Sequence, residues 1–542
     1  NAGYVSFESD STIVEKLSGL FPIFFFLIAA LVCSTTMTRM IDDERTQIGT
    51  LRALGYSRGS ILAKYLLYSG SAAALGCVIG YFAGGYVFPF VIWTAYGMLY
   101  SIPGFVILYD PVLFVIALAA SLLCSAGTTY LALRIEMQNM PANLIRPKTS
   151  AAGKRIFLER ITPLWKRLKF LHKVSLRNIF RFKKRMIMMI LGIAGCTALV
   201  LTGFGIHDSV ANIANFQFDD IQKYDVSAQF SDTLTEDKIN EVESDHKSEL
   251  DAATAVQMTS GDVTGDSITK SAYIVASDDP AITDIFDLHI DGETVPYPGK
   301  GEVLLTEKLA ELTDIKTGDT VTVSVSDTEK AELKVAGLVE NYVQNYLYMT
   351  GETYAMVADK GYEPKTLLLR VNDSADEYAL SAALSKTDGV SSVSVVTDTR
   401  NMIDQMMQSL NYVVALVLIS AGALAFIVLF NLGNINLTER VREIATIKVL
   451  GFHSGETGAY VFRENIILSM MGIVVGLPLG VLLHTFVLMQ IRVDMVSFKA
   501  VIAPVSFLLT VVMVVLFTVI TDLVMRKKIA KIDMAESLKS IE

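Results

Sequence analysis

Seven long apolar stretches constrain this chain more tightly than any other feature. They fall near 18–38, 66–92, 112–133, 186–206, 412–433, 466–488 and 502–525, and each is nearly free of charge. A helix of about 20 apolar residues is what the hydrocarbon core of a bilayer requires. The chain is 52% hydrophobic with a mean hydropathy of +0.44, too apolar for an ordinary soluble protein. The expected fold class is an α-helical polytopic membrane protein with seven spans.

Charge divides the chain and orients it. Residues 208–404 hold 38 acids against 14 bases, while the rest holds 18 acids against 32 bases. An acidic insert therefore sits in a basic membrane body. The bases flank the spans, so the excess implies no nucleic-acid partner; the neighbour implied is membrane lipid. Segment 134–185 has 15 bases and 2 acids, which places it in the cytoplasm by the positive-inside rule. Counting spans outward puts 39–65, 434–465 and the tail 526–542 inside. Loops 94–111 and 489–501 and the insert 207–411 fall outside.

The insert reads as α+β. Helices are expected near 234–249 and 374–386, and strands at Thr320–Val325 and Glu332–Leu338. His207, His246 and His289 stand apart in sequence. The four cysteines, Cys33, Cys77, Cys124 and Cys196, all lie in apolar spans. Neither set has catalytic or metal-ligand spacing, so no metal or cofactor is expected in this chain. Within the basic linker 149–185, Leu164, Leu168, Leu171 and Val174 recur at helical spacing among lysines and arginines. That pattern fits a helix lying on the inner membrane face or a plain basic linker.

The membrane body is a tandem repeat. Gln47-Ile48-Gly49-Thr50-Leu51-Arg52-Ala53-Leu54-Gly55-Tyr56 aligns without a gap on Glu443-Ile444-Ala445-Thr446-Ile447-Lys448-Val449-Leu450-Gly451-Phe452. The same offset pairs Gly76, Gly80 and Gly84 with Gly472, Gly476 and Gly480. A slightly different offset pairs Pro141–Arg146 with Met534–Lys539. The two modules are 18–148 and 412–542. Glycines four apart share a helix face and favour close helix packing. A leading span, 186–206, and the external domain 207–411 precede the second module. By the repeat, a matching span and external segment would precede Asn1, with 1–17 as the end of that region.

The segment around Glu443–Gly451, the Glu464-x(7)-Gly472-x(3)-Gly476 span and the terminal Met534–Lys539 resemble the cytoplasmic, membrane and C-terminal motifs of FtsX/MacB-like permeases. Gly301–Leu305 and Thr317–Val321 are similar to the MacB-like periplasmic core domain. The first copy departs at Tyr68, which stands where the second has Glu464. The resemblance implies a bacterial inner-membrane permease of an ABC system, working with an ATPase subunit, in two copies, that binds ATP and Mg. The resemblance implies that this ATPase is a separate chain; no G-x-x-x-x-G-K-[ST] phosphate loop occurs in this sequence, so these residues are not the motor.

Two functions compete on this reading. One is export of a peptide, antibiotic, lipid or lipoprotein. The other is a non-transporting mechanical or signal transmitter acting on an external partner such as a cell-wall hydrolase. In either, Gln47, Ile48, Thr50, Leu51, Arg52, Leu54 and Gly55, with Glu443, Ile444, Thr446, Ile447, Lys448, Leu450 and Gly451, are expected to form paired coupling helices on the ATPase. Their apolar stripes are Ile48/Leu51/Leu54 and Ile444/Ile447/Leu450. Glu464 is expected near the cytoplasmic mouth, either as an interfacial charge paired locally or with a part in gating.

Overall fold

The computed structural model describes residues 2–97, 104–145, 170–181, 183–265, 268–326, 328–439, 441–451, 453–491 and 496–530. The first three spans lie in helices α1 (Ala2–Asp43), α3 (Arg58–Tyr96) and α4 (Pro111–Glu136), with short helices α2 (Arg45–Ala53) and α5 (Pro141–Ile145) between and after them. Helix α6 (Phe170–Arg181) covers the end of the basic linker; Leu164 and Leu168, like the terminal motif Met534–Lys539, lie outside the described residues. The leading span is α7 (Lys183–Ala211).

Local chemistry sets the helix ends. Ser57 caps α3 by accepting from Ser60 N, and Asp110 caps α4 by accepting from Val112 N, with Pro111 at the first helical position. Helix α2 ends at Gly55, whose φ of +92° only glycine adopts cheaply. Gly55 N donates to Arg52 O at 3.2 Å and Tyr56 N to Leu51 O at 3.1 Å, a Schellman closure that satisfies two terminal carbonyls.

The α+β unit comprises Ser209–Asn411 and also takes in Asn1–Ile13 and Ile491–Lys499. Its longer helices are α8 (Glu236–Asp245), α9 (Glu307–Thr313), α10 (Gly351–Val357) and α11 (Glu377–Leu384), beside short turns at Ile213–Asn215, Phe216–Ile221 and Ile282–Ile285. Its strands are β1 (Val226–Phe230), β2 (Leu250–Thr264), β3 (Thr269–Ala276), β4 (His289–Ile290), β5 (Glu293–Thr294), β6 (Glu302–Thr306), β7 (Thr320–Ser324), β8 (Lys330–Val339), β9 (Tyr346–Met349), β10 (Thr366–Val371) and β11 (Val390–Val395). Nine form one sheet in the order β11-β1-β10-β2-β3-β9-β6-β8-β7, and β7 pairs back onto β2. The sheet therefore has two halves that share the 15-residue β2.

In one half, β2, β3, β9, β6, β8 and β7 close on themselves around Val263, Ile274, Leu305, Val323, Val335 and Leu347. In the other, the antiparallel set β11-β1-β10-β2 packs α8 and α11 through Val226, Val242, Leu367, Leu380 and Leu384. Gly261 lies where β2 turns between β3 and β7. A Cβ there would come within 2.7 Å of the Ser324 carbonyl oxygen, so a side chain would push the closure apart.

The second module follows in α12 (Val396–Glu439), α13 (Val441–Val449), α14 (Ser454–Gln490) and α15 (Pro504–Ala530). Among the described residues, seven helices are long and apolar enough to cross a membrane; six contain the stretches read from sequence, and the seventh begins at Pro504, two residues into the stretch read as 502–525. Helices α1 and α12 run to 42 and 44 residues, well beyond the spans themselves. The membrane unit has a core of its own, in which Ile193, Cys196, Leu199 and Val200 of α7 meet Ala421, Ala425 and Val428 of α12 and Leu468 and Ile473 of α14.

Candidate functional site

The paired helices α2 and α13 do not present the stripes expected of them. Ile48 is buried with Ile41, Ile61, Tyr65, Leu133 and Leu144 of its own module. Gly49 is pressed on α5, where a Cβ would come within 2.9 Å of the Leu144 Cβ. Ile444 is likewise buried with Leu437, Phe462, Met525 and Ile529. Leu54 and Leu450, by contrast, are each 72% exposed, against 1% for Ile48 and Ile444. Six residues at about 100° each carry the side chain to a different face, so the i, i+3, i+6 stripe divides. The outward face is Gln47, Thr50 and Leu54 at i, i+3, i+7, matched by exposed Thr446 and Leu450. The Glu443 side chain lies outside the described residues.

Arg52 and Lys448 also turn inward. Arg52 donates to the carbonyls of Met137 at 3.0 Å and Asn139 at 2.5 Å, just past the end of α4. Lys448 donates to the Ile529 carbonyl at 2.7 Å, at the end of α15. In both modules a cation thus ties the short helix to the last turn of the final span, where unpaired carbonyls and the helix dipole favour positive charge. Gly451 repeats the φ of +92° found at Gly55. Leu51 and Ile447 are half-buried.

The glycine faces differ between the modules. On α14, a Cβ at Gly472, Gly476 or Gly480 would come within 2.6–2.9 Å of Ile193, Thr197 or Leu201 on α7. The α7 and α14 backbones therefore pack at a distance only glycine permits. At Gly76, Gly80 and Gly84 of α3, a Cβ would meet no atom within 4 Å among the described residues. The close approach made at the three glycines of α14 is thus not made at these three among the described residues.

Glu464 is fully buried, whereas its counterpart Tyr68 is 58% exposed. The carboxyl is therefore enclosed by protein, where the aligned tyrosine of the first module is not. Next to it, Asn465 donates to Asp522 Oδ1 at 2.8 Å and accepts from Asn436 Nδ2 at 2.6 Å. Thr518 donates to Ser469 at 3.1 Å in the same interior. This polar chain links α12, α14 and α15. In the first module the aligned residues are Met40, Ser69 and Thr129, so the chain cannot form there. In sequence, Asn465 and Asp522 are legible only as isolated polar residues in apolar spans.

A third feature is not legible in sequence. Within loop 489–501, expected to be external, the described residues Ile491 and Val496–Lys499 belong to the α+β unit. Lys499 Nζ lies 2.8 Å from Glu340 Oε2, and Ser497 N donates to Tyr342 O at 2.9 Å. Val496 and Val343 form an antiparallel bridge. Glu340 is buried and also accepts from the Tyr342 hydroxyl and from Asp291 N. Burial pushes its carboxyl up, but Lys499, Tyr342 and the Asp291 amide outweigh that and hold it below the usual glutamate range. Burial and then the Glu340 charge push nearby Glu307 the other way. The three histidines each lie beside a carboxylate, His207 by Asp208, His246 by Glu249, and His289 by Asp287 and Glu340.

Two copies of a three-span module, with an α+β domain carried between them, define a duplicated multi-pass membrane protein. Comparison with known families places it further. The FtsX-like permease C-terminal model matches residues 19–137 and 415–534, and the MacB-like periplasmic core domain model matches 186–387. The chain belongs to the FtsX/MacB-like family of ABC transporter permeases. Among solved structures, it is similar to the extracellular domain of the noncanonic ABC-type transporter YknZ from Gram-positive bacteria. Identity is 14%, over 32% of this chain and 98% of that one, with a TM-score of 0.24. It is also similar to the periplasmic region of MacB from Actinobacillus actinomycetemcomitans, at 14% identity over 34% of this chain and 94% of that one, TM-score 0.24. The assignment rests on the two family models. A search of curated proteins found no match. Components of this family are permeases and not themselves enzymes.

Proposed function

We propose that this chain is the permease subunit of an ATP-driven export system in a bacterial inner or plasma membrane. In this reading α2 and α13 dock on two copies of a separate ATPase, which binds the ATP and Mg. The exported client is a peptide, antibiotic, lipid or lipoprotein met on the external side.

The observation that carries the reading is the exposure of Leu54 and Leu450. Both modules bury the isoleucine six residues earlier and leave the leucine, the threonine four residues before it and the glycine cap in the same arrangement. A leucine left uncovered by its own chain at two equivalent positions fits a groove on a partner. The experiment is co-purification of the ATPase with Leu54→Asp and Leu450→Asp. Both variants are expected to insert normally and to lose the ATPase and transport-coupled hydrolysis. Retention of both would overturn the coupling assignment.

The strap at Lys499 favours a second reading, a mechanical transmitter. Val496 and Lys499 lie in the chain between α14 and α15, and their bridge to Val343 and ion pair to Glu340 fix that stretch on the α+β unit. ATPase activity stimulated by an added client supports export. Hydrolysis that alters only an external partner supports transmission.

A further inference from the structure

A cleft of about 190 Å³ lies within the α+β unit, where β1 begins and β11 ends. Tyr224, Met258 and Tyr346 line it, Val343 and Gln344 form one wall, and exposed Ser394 and Thr399 stand at its mouth. None of its lining residues carries a formal charge, although segment 208–404 holds 38 acids and 14 bases. An uncharged cleft in so charged a domain is a specific composition.

The wall is held in place before any ligand arrives. Gln217 Oε1 accepts from the amides of Tyr342 and Val343 at 2.9 and 3.0 Å, and its Nε2 donates to Asn341 Oδ1 at 2.9 Å. Asn341 Nδ2 in turn donates to the carbonyls of Val343 and Gln344 at 2.8 and 2.7 Å. This cage holds Gln344 at a φ of +63°, the left-handed region that is costly for a residue with a Cβ. Strain of this kind persists where the surroundings over-determine it, and it is common at ligand sites. The Gln344 side-chain amide has no hydrogen-bond partner among the described residues.

We propose that this cleft binds an uncharged peptide-like segment, seating one apolar side chain against Met258, Val343 and Ile403 and pairing the adjoining amide with Gln344. Its volume is below the ~300–1,000 Å³ of sites that enclose a whole drug-sized molecule, so it grips part of a longer client. An ionised group would be desolvated there with no countercharge. A bare acyl chain would cover the Gln344 amide without answering it. The proposal takes from the permease reading only that a client is met on this side of the membrane; binding itself needs no ATPase.

The test is a ligand-observed NMR titration of the full chain in phosphatidylcholine nanodiscs, with N-acetyl-leucine amide as the probe. N-acetyl-glycine amide, free leucine and 1-octanol are the comparators. The leucine amide should bind at least tenfold more tightly than the glycine amide, the equivalent of burying one leucine side chain. Free leucine and octanol should be weaker than the leucine amide. Thr399→Trp, at the exposed mouth, should abolish binding without touching the core, and Gln344→Ala should weaken it several-fold. Equal affinity for the glycine amide, octanol binding as tightly as the leucine amide, or unchanged titrations for both variants would each overturn the site. Leucine-amide binding retained in a chain that never captures an ATPase would sink the permease reading alone.

Discussion

Lys499 closes a buried charge on Glu340 at 2.8 Å, and the two residues lie 159 positions apart in the chain. The ammonium also stands 5.8 Å from the Tyr342 ring and 5.9 Å from the Phe216 ring. The contact therefore joins a short interhelical segment to the strand end of β8 through charge, ring faces and a backbone bridge together. Removing the cation leaves a buried carboxylate without its counter-ion. Lys499→Met should cost roughly 1–3 kcal/mol, since the carboxylate loses its ammonium partner but keeps the Tyr342 hydroxyl and the Asp291 amide. Hydrogen exchange should then rise in 491–499 and 340–345 together. Exchange confined to the mutated loop would show that the strap is not a unit.

The same node gives the α+β unit a pH dependence. The Glu340 carboxyl is held low, so its stabilising contribution is complete above the ordinary glutamate pKa and is lost as pH falls through the lowered value. Glu307 is held high, so its contribution is complete below the ordinary value and fades as pH rises through the raised one. Acidification from neutral should first relieve Glu307 and then weaken the Glu340 strap. Glu340→Gln should remove the second effect and lower the Glu307 pKa, because its charged neighbour is gone. A titration of exchange protection at 340–345 in both forms checks the order; identical profiles would refute it.

Buried and exposed residues on α2 should separate folding from docking. Ile48 sits in a closed cluster, and truncating a buried isoleucine to alanine costs about 2–5 kcal/mol. Ile48→Ala should lower the thermal stability of the purified protein. Leu54→Ala, at the exposed helix end, should leave it unchanged. Equal shifts for the two would mean that Leu54 is covered in the folded chain.

Some of these relationships are visible in the sequence, and others are hidden for physical reasons. The spans are legible because a bilayer imposes length and apolarity residue by residue. The strands Thr320–Ser324 and Lys330–Val339 are legible because their alternation survives in the fold. The coupling stripe misleads because Ile48, Leu51 and Leu54 look alike in sequence, while a helix turns the third away from the first two. Glu464 reads as interfacial because one charge beside Arg463 looks like a span end. Its burial depends on neighbours brought up by the fold, which one span's sequence does not show. Lys499 carries no signal at all, since its partner is defined only once β8 has found its register.

The clearest contrast left by the repeat is between Gly476 and Gly80, which occupy equivalent positions. A Cβ at Gly476 would fall 2.6 Å from Thr197 Cβ and 2.8 Å from the Ala194 carbonyl oxygen. Neither contact can yield by rotating a flexible side chain, since one atom is backbone and the other is fixed to it. Larger side chains forced into a packed interface typically cost about 1–3 kcal/mol, and here α7 would have to separate from α14 along its length. The Thr202 hydroxyl, 3.3 Å from the Gly480 carbonyl, would lose that approach too. Gly80 meets nothing within 4 Å, so its side chain would enter open space. Gly476→Leu should therefore sharply reduce the yield and melting temperature of the purified chain, while Gly80→Leu should leave both near wild type. Size-exclusion profiles and melting curves of the two variants, expressed side by side, decide the matter. A Gly80→Leu variant as impaired as Gly476→Leu would mean that the α3 face is packed against a helix in the membrane.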